Sequence, residues 1–351
     1  MLYRYRAEVL SELIKDNTIT VCAPDGDCEP LVKMGCQIIR ADVDRRGINP
    51  IKDIGLYKTY KRIISEVKPD VVLTYSIKPN IYGGYAAKKL GVPYFCHVQG
   101  LGSAFQRPLI KEIASVMYKA ALKKTKGVFF ENSGNRDVFV NKKIIRPDQA
   151  IIVRGGAGVS LDSFPFSEMD ESGCVGFLFV GRIMKEKGID ELFAAARRMK
   201  AELGDRVSFT VAGGFEDEYG DTIKELSEKG IVEYPGFVND VASLYKKCHA
   251  VVLPSYHEGL ANVLIEGAAT GRALIATDIY GCKETVIDGQ SGFLVQKADA
   301  EALYSAMMRF YNMSIDEKRE MGLKGRKFVE KHFDRRNVVS FTVSSLNGRL
   351  K

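Results

Sequence analysis

Pro254-Ser255-Tyr256-His257-Glu258-Gly259-Leu260-Ala261-Asn262-Val263-Leu264-Ile265-Glu266-Gly267 is the stretch whose reading decides the fold of this chain. The four residues before it, 250–253, form a short, branched apolar run with the pattern of a buried strand, and the residues after Ala261 read as a helix. A strand, a glycine-bearing turn and a helix start together make an anion pocket. The amides of residues 259–263, those of Gly259, Leu260, Asn262 and Val263 among them, are expected to point out of a sheet edge with partial positive charge. A phosphate or a developing oxyanion is stabilised there. Two carboxylates flank the pocket: Glu258 in the turn, and Glu266 four residues after Asn262, hence on the same helix face.

Upstream, a strand pattern at 176–180 runs into Gly181-Arg182-Ile183-Met184-Lys185-Glu186-Lys187-Gly188. Gly181 lets the backbone turn and Gly188 precedes a helical stripe at 189–203, so Arg182 and Lys187 arrive at the same carboxyl edge as Glu258. An arginine fork and a lysine point charge beside helix-start amides suit a diphosphate. The plainer reading of this loop is a surface charge cluster.

Strand-like runs alternate with helical patterns from end to end, which argues for parallel sheets flanked by helices. Strands are expected at 19–23, 36–41, 70–75, 94–98, 128–131 and 151–153, and again at 176–180, 208–212, 232–235, 250–253, 273–276 and 293–295. The final helical patterns cover 300–311, 315–333 and 336–346. Periodicity lapses over 155–173, where the domain junction is expected. The division is residues 1–160, joined by the C-terminal helix at 336–351, and residues 161–335.

The chain's 351 residues are enough for two ordinary domains, and its 46% hydrophobic and 27% charged composition is that of a globular protein. No apolar run reaches the roughly 18 residues that a membrane span needs, and there is no signal-peptide core, so a cytoplasmic location is expected. Seven scattered cysteines without a CxxC pair argue against a disulfide framework or a zinc site. No nucleic-acid signature is visible. Residues 1–155 carry 26 Lys and Arg against 15 Asp and Glu, a surplus of eleven, so the remainder of this +7 chain is net −4. The first half has the electrostatics of something that meets anions.

That half begins on a helix, with apolar Leu2, Tyr5, Val9, Leu10 and Leu13 in a stripe. A doubly wound domain normally begins on its central strand, so the expectation is that the first strand is missing. Lys78 and Asn80 follow the strand at 70–75, at a carboxyl end where open sheets bind ligands, or else form a solvated loop with Asn80 as a helix cap. His97 ends the strand at 94–98 before Gly100. It is open to a role as acid, base or donor, and equally to a structural one. A helix over 108–126 is apolar at Leu109, Ile110, Ile113, Val116, Met117, Ala120 and Leu122 and carries Lys111, Lys119, Lys123, Lys124 and Lys126. Such a helix suits an anionic bilayer surface, or is an ordinary core helix with a basic outer side.

These motifs together resemble glycosyltransferase family 4, the retaining enzymes of two-domain GT-B architecture. The resemblance rests on Gly181-Arg182 with Lys187-Gly188, the Gly236-Phe237 turn with Asp240, Pro254-Ser255 with Glu258-Gly259 and Glu266, the two glutamates standing eight apart, Gly281 with Glu284-Thr285, and 289–294. Asp44-Arg45-Arg46-Gly47, 77–83 and Gly100-Leu101-Gly102 narrow it to the bacterial branch that builds capsule, exopolysaccharide or O-antigen units on a polyprenyl diphosphate. What the resemblance implies is two Rossmann-like domains facing a cleft and a UDP-sugar donor. The acceptor would be a lipid-linked saccharide, with Lys78, Asn80 and Gly100 on its side, and the protein would be peripheral at the inner membrane face. Arg182 and Lys187 would hold the diphosphate, Glu266 the ribose and Phe237 the base, with Gly181 shaping the turn. Glu258 would sit by the transferred sugar. His97 is carried as a second catalytic candidate, although Gln99 stands where many members have histidine directly before the glycine. No metal or other cofactor is implied. Competing readings are a catalytically silent nucleotide- or carbohydrate-binding component, a GT-B epimerase, and a hydrolase using the paired glutamates.

Overall fold

A computed structural model describes residues 2–350 except 25, 27, 42–49, 102–104, 106, 107 and 172. The chain divides into two compact units, Met1–Ala157 with Arg336–Lys351, and Gly158–Arg335. Asp44-Arg45-Arg46-Gly47 and Gly102 lie outside the described residues.

Unit 1 runs α1 (Leu2–Leu13), β1 (Thr20–Ala23), α2 (Glu29–Lys33), β2 (Gln37–Arg40), α3 (Pro50–Val67), β3 (Val72–Tyr75), α4 (Gly84–Leu90), β4 (Tyr94–Val98), α5 (Pro108–Leu122), β5 (Gly127–Phe130), α6 (Ser133–Asn141) and β6 (Ala150–Ile152). All pairings are parallel, in one sheet of order β1-β2 and another of order β3-β4-β5-β6. No strand pairing among the described residues joins the two sheets. The strands of the second sheet read as continuous apolar runs because both faces are covered. Phe130 and Val128 pack towards α5 and α6, while Phe95 and Phe129 meet Val338 and Leu346 of α13 (Arg335–Leu350). Arg349 ties that helix down by donating to the carbonyls of Lys126 and Asp148.

Unit 2 comprises β7 (Val175–Val180), α7 (Ile189–Leu203), β8 (Val207–Ala212), α8 (Gly220–Glu228), β9 (Glu233–Gly236), α9 (Ala242–Lys247), β10 (Ala250–Leu253), α10 (Asn262–Ala269), β11 (Ala273–Thr277), β12 (Gly292–Val295), α11 (Ala300–Tyr311) and α12 (Ile315–His332). Its single parallel sheet has the order β12-β11-β10-β7-β8-β9. This is the doubly wound arrangement, in which chain direction across the sheet reverses between β7 and β10. Every residue of β10 and β11 is buried, as helices on both faces require. Helix starts are fixed by local chemistry: Asp299 caps α11, and Ser314 with Glu317 forms a reciprocal capping box on α12.

Candidate active site

The switch point of unit 2 places the loop after β7 and the loop after β10 side by side, which is where open sheets bind ligands. The β7 loop passes through a helical turn at Lys185–Lys187 and ends on Gly188. Gly188 has φ +69°, and a Cβ there would lie 2.1 Å from the Pro254 carbonyl oxygen, so only glycine allows the two loops this approach. Tyr256 N donates to Glu186 O at 2.8 Å and closes the junction.

The result is a direct contact between the two halves of the sequence motif. Lys187 Nζ donates to Glu258 Oε1 at 2.5 Å, with side chains only 17% and 12% exposed. Ser255 Oγ donates to the same oxygen at 2.8 Å, and Thr277 holds the Ser255 carbonyl from below. From the other side the turn after β11 presses in. Gly281, at φ +92°, has room for no side chain because a Cβ would meet Glu258 Cβ at 2.7 Å. Glu284 fixes this turn by accepting from Gly281 N at 2.6 Å. Burial pushes the adjacent Cys282 thiol well up, with the nearby Glu258 carboxylate adding to the shift, so it stays a neutral packing group.

Arg182 is more open, with a side chain 58% exposed and Nη1 3.5 Å from Glu216 Oε2. Glu266 projects from the first turns of α10, where its Oε2 accepts from the buried Tyr245 hydroxyl at 2.9 Å. Phe237, just past β9, is 66% exposed, an unusual setting for an apolar ring and a suitable one for stacking on a base. Within 259–263, Ala261 N donates to Gly281 O and Asn262 N to Leu260 O. The ligand-facing role expected of Asn262 N is therefore taken by a local turn. No cluster of three or more metal-ligating side chains occurs among the described residues.

In unit 1 the sequence-chosen residues are placed differently. Asn80 is fully buried; its Oδ1 accepts from Thr74 Oγ1 at 2.7 Å and its Nδ2 donates to His97 O at 3.0 Å. It clamps β3 to β4 and has no surface left for an acceptor. Lys78 is 14% exposed and paired with Asp53 at 2.8 Å. His97 is 2% exposed, with its ring beside those of Tyr75 and Phe129 and its Nε2 3.3 Å from both Arg6 Nη2 and Glu131 Oε1. Burial lowers its pKa and the Arg6 guanidinium lowers it further, against the Glu131 hydrogen bond. An enclosed, neutral His97 is a member of a buried polar cluster, which corrects its reading as a catalytic group. Gly100 is half-buried in the loop after β4.

Tyr245 and Glu216, which hold predicted side chains in place, were missed. Ser255 lay inside the quoted stretch without a role. Tyr245 has no linear signal at all, because its bond to Glu266 spans 21 residues and depends on how α9 and α10 pack.

A doubly wound unit with two cations and two carboxylates at its switch point, accompanied by a second parallel α/β unit, defines the GT-B class of glycosyltransferases. Family models agree: that for glycosyl transferases group 1 matches residues 173–328, and that for glycosyl transferase 4-like proteins matches residues 4–132. The chain carries a glycosyl transferase 4-like domain followed by a glycosyl transferases group 1 domain, and it is a glycosyltransferase. It is similar to N,N'-diacetylbacillosaminyl-diphospho-undecaprenol alpha-1,3-N-acetylgalactosaminyltransferase of Campylobacter jejuni, 26% identical over 324 residues, covering 86% of this chain and 84% of the relative. The capsular polysaccharide biosynthesis glycosyltransferase CapM of Staphylococcus aureus is 24% identical over 344 residues, covering 90% and 88%. In fold it resembles Anabaena HepE, whose crystal structure holds UDP and glucose, with a TM-score of 0.79 at 14% identity over 97% of this chain and 95% of that one.

Proposed function

We propose that this protein is a retaining glycosyltransferase that moves a hexose or N-acetylhexosamine from a UDP-sugar to a saccharide carried on a polyprenyl diphosphate, in the assembly of a bacterial surface polysaccharide. The observation that carries the reading is the Lys187–Glu258 contact at the switch point, flanked by Arg182. A lysine held on a carboxylate is a cation in waiting for a phosphate. The names of the relatives supply the rest: an undecaprenyl-diphosphate acceptor for the Campylobacter enzyme, a capsule for CapM, and UDP with glucose bound to HepE.

On this reading the donor diphosphate draws Lys187 from Glu258 and recruits Arg182 from Glu216. Both cations then offset the charge that develops on the leaving UDP, with no metal needed. Glu266 receives the ribose hydroxyls and Phe237 lies beside the base. Glu258, released from Lys187 and still held by Ser255, accepts hydroxyls of the transferred sugar. Departure of UDP and attack of the acceptor hydroxyl on the same face retain configuration, and the diphosphate oxygen takes the acceptor proton. The lipid anchor of the acceptor sets the reaction at the inner face of the cell membrane.

The test is a mass-resolved assay of a panel of UDP-sugars against lipid-linked acceptors. One UDP-sugar should yield a lengthened lipid-linked product and stoichiometric UDP. Binding of UDP without any product from the panel would leave a nucleotide-binding protein and sink the reading.

A further inference from the structure

Helix α5 buries one face and leaves a second apolar face uncovered. Ala114, Tyr118 and Leu122 pack into unit 1, whereas Leu109 is 77%, Ile113 54% and Val116 68% exposed. Their spacing of four and three residues lines them up as one stripe, which the exposed Ala120 continues. Single exposed aliphatic residues are ordinary on a protein surface; three aligned on one helix need a cover.

The margins of the stripe are basic. Lys119, Lys123, Lys124 and Lys126 are exposed at its C-terminal end. Lys88 of α4 reaches the Ala120 carbonyl at 2.5 Å, with Lys89 beside it over the ring of Tyr85. The one acid of α5, Glu112, is paired with Lys142 at 2.6 Å, so it adds no net negative charge to the face. A symmetric contact with a second copy would bring these lysines together at one interface. Aliphatic side chains ringed by lysines instead match a bilayer with anionic headgroups, in which the chains enter the acyl boundary and the ammonium groups stay at headgroup level. No helix among the described residues is long and apolar enough to span a membrane, so contact of this kind is made from the surface.

We infer that the Leu109–Ile113–Val116 stripe of α5, with its lysine rim, docks this protein on an anionic lipid surface. The inference deepens the proposed function, since a polyprenyl-linked acceptor resides in that surface, and for its purpose it rests on that reading.

Flotation of the whole protein with vesicles decides it. Wild type should float with vesicles of equal parts phosphatidylcholine and phosphatidylglycerol, stay behind with phosphatidylcholine alone, and be released by high salt. Lys119→Gln with Lys123→Gln should weaken vesicle binding by about fivefold per lysine. The triple variant Leu109→Ser, Ile113→Ser, Val116→Ser should lose flotation while keeping wild-type melting and UDP binding, because these side chains are exposed. Failure of wild type to float with the anionic vesicles, or equal flotation of the triple variant, overturns the inference. So does a concentration-dependent dimer that the triple variant abolishes, which would make a second copy the cover. Flotation without sugar transfer would sink the proposed function alone; transfer to a detergent-dispersed acceptor without flotation would sink the docking alone.

Discussion

Lys187 and Glu258, 71 residues apart in sequence, share a hydrogen-bonded ion pair of 2.5 Å at the switch point of unit 2. The pair satisfies both charges in a site that is largely shielded from water. It also defines what each residue must give up when an anionic donor enters. Lys187→Ala removes the cation and leaves Glu258 held only by Ser255. Transfer is expected to fall about 100- to 1000-fold, as for loss of one group that stabilises developing charge. Because an unpaired, mostly buried carboxylate remains, the melting temperature should also drop. Glu258→Gln keeps the size and a hydrogen bond from Ser255, so it should abolish transfer with UDP binding within a fewfold of wild type. Rates near wild type in either variant would remove this pair from the chemistry.

Tyr245 is a positioning residue for Glu266. Its hydroxyl, on a fully buried ring, donates to Glu266 Oε2 at 2.9 Å and so fixes which way the carboxylate faces. Tyr245→Phe preserves the packing against Phe164 and deletes that bond. A hydrogen bond to a charged group is worth about 1.5–3 kcal/mol, so KM for the donor should rise about ten- to a hundredfold with kcat little changed. The preference for UDP over 2′-deoxy-UDP should shrink in parallel. An unchanged preference would show that Glu266 is not aimed by Tyr245, or does not read the ribose.

Much of this architecture was legible in the sequence. The strands expected at 94–98 and 250–253 are found as Tyr94–Val98 and Ala250–Leu253, and the remaining ten lie within a few residues of their expected places. Buried parallel strands are short apolar runs between polar punctuation, so composition alone marks them. The convergence of the candidate site in unit 2 was legible for a related reason: Arg182, Lys187 and Glu258 lie in the loops that leave β7 and β10, and a doubly wound sheet gathers those loops at one edge. The same rule placed Asn80 and His97 at strand ends in unit 1 but could not say where their side chains point. Asn80 turns inward to Thr74. His97 meets Arg6, 91 residues upstream, a partner that only the packing of α1 supplies.

Gly281 tests whether the turn after β11 holds Glu258 in place. At φ +92° with a would-be Cβ 2.7 Å from Glu258 Cβ and 2.8 Å from the carbonyl oxygens of Glu258 and Gly259, Gly281→Ala must displace one loop or the other. The expected cost is about 1–3 kcal/mol in stability. Loss of kcat should exceed the loss of UDP affinity, since Glu258 lies on the displaced loop whereas Tyr245 and Glu266 do not. Equal losses of both would mean that the turn supports unit 2 as a whole.

The buried His97 gives unit 1 a dependence on pH that carboxylates cannot explain. Burial and Arg6 hold its pKa below the ordinary value of 6.5 that it regains on unfolding. Between those two values the unfolded chain binds the extra proton, so stability rises with pH there: it is fully present above about 6.5 and is lost as pH falls towards the folded value. His249, in unit 2, is shifted the same way, chiefly by burial and against the hydrogen bond to the Asp170 carbonyl. Both units should therefore weaken on acidification, before carboxylates with ordinary values near 4.5 begin to protonate. Thermal denaturation followed from pH 7.5 to 5.5 should show a steadily falling midpoint in wild type. A midpoint that stays flat across that window would mean that His97 takes up its proton without penalty, and the enclosed cluster with Arg6 and Glu131 would have to be opened.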